Sequence, residues 1–175
     1  LPVMMVHAPV PAVLDEGDGL RPVTPDEIAY YLGETVRYSQ TADIIGFDVY
    51  PIPPEFAQVT SPYLDGEQAD VYTTLTDYAA WLAEIGEGRP YFLALQAFAY
   101  ADLGDLGPDA PAAAAQKPTP DDLRTMACAA WEGGAAVIVW WGQSLLDADD
   151  AAFWADVLAA SRAITRDPVN YCTAL

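Results

Sequence analysis

A chain of 175 residues that is 53% hydrophobic and 11% aromatic has enough apolar side chains for one packed domain over residues 1–175, and too many for a disordered tail. Its 26 acidic residues against seven basic ones give a net charge of −19. Neither nucleic acid nor an anionic membrane is then an expected partner, because gripping phosphates takes a basic face. No apolar run approaches the roughly 20 residues of a membrane span, and Leu1 to Ala8 lack the basic flank of a signal peptide, so the sequence reads as soluble.

In chain order, four short apolar runs are each followed by a loop and then a helical pattern, the arrangement of parallel β/α units. Val3 to His7 (VMMVH) comes first. Thr24-Pro25-Asp26-Glu27 then opens a helix over 25–38: the threonine caps, the proline suits the first helical position, and Glu27 completes a capping box. The second run is Asp43 to Tyr50 (DIIGFDVY), followed by the long loop Pro51 to Gly66 and a helix over 69–86. The third, Tyr91 to Phe98 (YFLALQAF), leads into the loop Ala99 to Pro118, where Ala112 to Ala115 reads as a short helix or link without chemistry. Thr119-Pro120-Asp121-Asp122 repeats the cap ahead of a helix over 120–132, with acids in the first turn where the helix dipole favours them. The fourth run is Ala135 to Trp141 (AAVIVWW), before a final helix over 150–165. Near-continuous apolarity is what strands buried on both faces look like. The long loops follow strand ends, the side on which β/α folds build their sites.

Cys128 falls in a predicted helix and Cys172 in the tail, with no C-x-x-C spacing. The sequence therefore reads as two unpaired thiols rather than a disulfide, and suggests neither a metal site nor a redox pair.

Several segments carry a resemblance. Asp43 to Pro51, ending Asp48-Val49-Tyr50-Pro51, looks like the sixth-strand motif of clan A glycoside hydrolases of the β-galactosidase-like type. Arg89-Pro90 before Tyr91 to Gln96 resembles their seventh strand. Gly133-Gly134-Ala135 running into Trp140-Trp141-Gly142-Gln143-Ser144 is similar to their eighth, and Phe153-Trp154 to the helix packing beneath the barrel. The resemblance implies an α/β fold that is part of a (β/α)8 barrel, about four parallel β/α units forming a half-barrel. It also implies that the first half is missing or supplied by another chain, so the expected partner is a second copy in a homodimer or an N-terminal half-barrel. The implied activity is hydrolysis of a glycosidic bond without a cofactor. The family's catalytic glutamate pair has no counterpart: the acid/base glutamate lies on a fourth strand outside these units, and the nucleophile's place is held by Leu95 or Gln96.

Candidate site residues follow from strand positions. Asp48 and Tyr50 are two apart and project to one side; a carboxylate in an apolar strand is either a ligand-binding or catalytic group or is structurally hydrogen-bonded, and Asp48 is the catalytic candidate. Tyr50, Gln96 and Trp141 are sugar-binding candidates, each with a core role as its alternative. Only one of Trp140 and Trp141 can face the lumen, and the family register favours Trp141. His7, the single histidine, is a candidate substrate hydrogen-bonder without the neighbours of a metal ligand. Asp102 and Asp105 lie in the loop after the third run, Asp102 being the possible second carboxylate, and Glu132 reads as structural. The alternative function is a non-catalytic carbohydrate-binding or scaffold fragment.

Overall fold

The computed structural model describes residues 1–17, 19–104, 111–145 and 147–173. Four strands, β1 (Met4–His7), β4 (Ile44–Val49), β5 (Tyr91–Gln96) and β6 (Val137–Trp141), form one parallel sheet in the order β1-β4-β5-β6. Between β1 and β4 lie a short antiparallel ribbon, β2 (Val13–Asp15) with β3 (Leu20–Pro22), and helix α1 (Pro25–Ser39). The one-turn α2 (Pro54–Ala57) and α3 (Val71–Gly86) join β4 to β5, α4 (Pro120–Glu132) joins β5 to β6, and α5 (Ala151–Arg166) with α6 (Pro168–Cys172) closes the chain. The fold is therefore α/β, a parallel sheet flanked by helices, and the helices start and stop within about two residues of their expected bounds. Ala112–Ala115 is a turn of 3-10 helix.

The helix starts are held by the chemistry read in the sequence. Both Thr24 with Glu27 and Thr119 with Asp122 form reciprocal capping boxes, and Asp70 caps α3 through the Thr73 amide at 2.9 Å. Glu27 also takes a bidentate grip from Arg21 (2.6 and 2.8 Å), which ties β3 to the first turn of α1. At the N-terminal end of the sheet, the Arg89 guanidinium donates to the carbonyls of Ser39 (2.7 Å), Ala42 (2.9 Å) and Gly86 (3.0 Å). One cation there answers carbonyls near two helix C-termini, where the helix dipole favours positive charge.

The sheet is dressed unequally. Odd-numbered residues of β4 and β5 (Ile45, Phe47, Val49, Leu93, Leu95) enter a core with Leu75, Tyr78 and Leu82 of α3, Leu123 and Met126 of α4, and Val157 of α5. Phe153 and Trp154 pack against that core. Among the described residues, no α-helix is packed on the opposite face. Its edge residues Met4 (50%), Val6 (50%), Val137 (42%), Val139 (37%) and Trp141 (41%) remain partly in water. In the middle of this face Gly46 is obligatory, because a Cβ there would meet the Phe92 ring and carbonyl oxygen at 2.6 Å.

One sequence reading is corrected: Cys128 and Cys172 form a disulfide, with Cα atoms 5.5 Å apart. After Asp167-Pro168 the chain turns back as α6, Tyr171 accepts from Arg124 of α4 through its carbonyl (2.6 and 2.9 Å), and Cys172 is thereby laid on α4. Sequence separation of 44 residues carries no sign of that return. The β2–β3 ribbon was also not expected.

Candidate functional site

The site lies at the C-terminal ends of β4, β5 and β6, on the face without helices. Pleating sends Phe47 and Val49 into the core, so Asp48 and Tyr50 project to the other side, as their spacing requires. Asp48 stands opposite Ala94 of β5, and Gln96 opposite Trp141. The Tyr50 ring stacks on Trp141 with centroids 5.5 Å apart and planes 29° from parallel. Phe98 meets both edge-on, at 5.0 Å from each. Gly142 lets the chain leave β6 beside this cluster: its φ is +125°, and a Cβ would meet the Ala97 carbonyl oxygen at 2.6 Å and the Phe98 Cβ at 2.8 Å. Trp140, by contrast, packs into the core, so Trp141 is the indole on this face.

The loop bearing Tyr50 is fixed from two sides. The Gln96 amide, fully buried, accepts from the Ile52 amide (2.9 Å) and donates to the carbonyls of Ile52 (2.7 Å) and Phe98 (3.0 Å). The Tyr100 hydroxyl donates to the Tyr50 carbonyl at 2.5 Å. Gln96 therefore holds the site's shape and offers no free group to a ligand.

Asp48 is the electrostatic centre. Its Oδ1 is buried and, among the described residues, has no hydrogen-bond partner. Burial pushes the carboxyl pKa up from the ordinary 3.8, opposed by its own backbone amide and by the Tyr50 hydroxyl. Three phenols answer that charge: Tyr50, Tyr100 and Tyr31 are each raised first by burial, then by the Asp48 charge. They stay neutral at ordinary pH. A buried carboxylate oxygen without a hydrogen-bond partner among the described residues, neutral hydroxyls and a part-exposed aromatic face together suit a polyhydroxylated ligand whose C–H face lies on the Trp141 ring.

Two other candidates stand apart. His7 is level with Phe47 and shares its face, ring centroids 5.7 Å apart, so it points toward the helices; its Nε2 meets Ser39 Oγ at 2.9 Å, and burial lowers its pKa. Asp102 is occupied: Oδ2 accepts from the Ala99 amide at 2.8 Å and lies 3.7 Å from Lys117 Nζ, which also bonds Asp150. Asp105 lies outside the described residues. Glu132 accepts from the Tyr72 hydroxyl at 2.5 Å, a structural bond.

Tyr100 and Tyr31 were not among the sequence candidates. Tyr100 had a readable signal, two residues beyond Phe98 where the third strand gives way to its loop, whereas Tyr31 on α1 reaches the site's vicinity through a hydrogen bond to the Ala8 carbonyl that only the fold reveals.

A scan against protein-family models, a search of curated proteins and a search of solved structures each find no match for this chain. Among the described residues, one concavity of about 900 Å³ lies beside α5 and α6, and another of about 360 Å³ between the β2–β3 ribbon and α2.

Proposed function

We propose that the chain is half of a (β/α)8 barrel that hydrolyses a glycosidic bond, with Asp48 as a carboxylate of the reaction and Tyr50 and Trp141 as the sugar platform. The observation that carries this reading is the unpartnered, buried Asp48 Oδ1 beside the stacked Tyr50–Trp141 pair, at the strand ends where β/α folds place their sites. The resemblance of Asp48-Val49-Tyr50-Pro51 and Trp140-Trp141-Gly142 to clan A glycoside hydrolases supports it. A carboxyl raised by burial is suited to hold a proton and pass it to a leaving glycosidic oxygen. Gln96 takes no part in binding in this account, and neither do His7 and Asp102, for the reasons of geometry above.

A second reading, carbohydrate binding without turnover, is favoured by one observation: among the described residues no other carboxylate shifts the Asp48 pKa, and glycoside hydrolysis ordinarily uses two. Turnover of chromogenic glycosides separates them. Hydrolysis that falls at least about 100-fold in Asp48→Asn supports the enzyme. Saturable sugar binding with no hydrolysis in the unmodified chain supports the binding module, and neither binding nor hydrolysis rejects both.

A further inference from the structure

We infer that two copies of this chain close edge to edge into an eight-stranded parallel ring, with Asp48 of each copy facing the same interior. The sheet order leaves β1 and β6 as edges, and all four strands run the same way. A two-fold axis along the strands therefore sets β6 of one copy beside β1 of the other in parallel, twice over, and satisfies both edges at once. β1 is MMVH and β6 is VIVWW, with no lysine, carboxylate or proline in either, in a chain whose surface is otherwise strongly acidic. Eight parallel strands also make an interior that side chains just fill, and Met4, Val6, Phe92, Val137 and Val139 are apolar side chains on the face that would line it.

The helix layer fits the same closure. In such a ring α5 of one copy neighbours α1 of the other. On α1, Tyr30 (73%), Val36 (38%) and Tyr38 (57%) stand in water. Exposed tyrosines are among the side chains that interfaces favour. If Asp48 is the reacting carboxylate proposed above, the ring also supplies the missing second one, Asp48 of the second copy; this clause alone rests on that reading.

The test is the mass in solution of the whole chain from 1 to 100 μM in molar salt, which screens repulsion between two acidic copies. Sedimentation equilibrium is expected to give twice 18.8 kDa. A folded monomer of 18.8 kDa throughout overturns the ring, and so does an open series of larger species, which means that the edges do not close. Val139→Lys on the edge is expected to return the mass to that of a monomer. Because that variant can also fail to fold, Tyr38→Glu, on an exposed position of α1, is the second: an unchanged dissociation constant overturns the arrangement, and a rise of about tenfold or more supports it. Mass is blind to hydrolysis, so a dimer without activity rejects the enzyme reading and leaves the ring standing.

Discussion

The Tyr50 ring lies stacked on Trp141, 5.5 Å from centroid to centroid, although the two residues come from strands separated in the sheet by β5. The Gln96 clamp and the Tyr100 hydrogen bond hold the first, and the β5–β6 ladder holds the second. Trp141→Ala removes the exposed half of this platform. Affinity for a bound sugar is expected to fall about tenfold, an aromatic contribution of roughly 0.5–1.5 kcal/mol, with Asp48 untouched. Isothermal titration calorimetry measures it, and an unchanged dissociation constant removes Trp141 from the site.

Asp48 makes a pH-dependent contribution whose sign follows from burial. Its folded pKa lies above the ordinary 3.8, so the fold binds this proton more tightly than the unfolded chain does. The penalty for ionising it is absent below pH 3.8 and grows as the pH climbs through the folded value. Asp48→Asn, nearly isosteric and never ionised, is expected to melt above the unmodified chain at pH 7, with the gap closing in acid. A variant that melts lower at pH 7 means that the carboxylate has a stabilising native partner.

Gln96→Leu leaves the Ile52 amide and carbonyl without their partner in a buried setting. Unpaired groups of this kind cost about 1–3 kcal/mol each, so urea unfolding is expected to show a loss of roughly 2–4 kcal/mol. A loss under about 1 kcal/mol means that the loop repairs itself without the clamp.

The strands and helices were legible because each is signalled locally: apolar runs such as Ile44-Ile45-Gly46-Phe47 for buried strands, Thr24 and Thr119 with their partners for caps. The pairing of Asp48 with Tyr50 on one face was also legible, since strand parity fixes it. His7 shows where a lone position misleads, because its side of the sheet depends on its pairing with Phe47 and not on its place at a strand end. Gln96 was undecided in the sequence for a similar reason: what satisfies its amide is a backbone 44 residues away. The disulfide was misread because two cysteines on unrelated elements meet only after α6 folds back.

Closing a 44-residue loop, the Cys128–Cys172 bond is expected to contribute about 2–4 kcal/mol, chiefly by restricting the unfolded chain. Reduction, or Cys172→Ser, is expected to lower the unfolding midpoint by that amount while leaving sugar affinity unchanged, because the bond joins α4 to α6 behind the sheet. A midpoint that does not respond to reductant means that the loop is already restrained by Arg124 and its neighbours.

A carbohydrate ligand is expected to dock on the face bearing Asp48, Tyr50 and Trp141. The most direct measurement is NMR chemical-shift mapping of the isotope-labelled chain during titration with mono- and disaccharides. Saturable shifts are expected, centred on the Trp141 indole N–H and the amides of Asp48, Tyr50 and Gly142. Shifts centred instead on Arg162, Arg166 and Tyr171 along the 900 Å³ concavity, or none at all with any sugar, would contradict it.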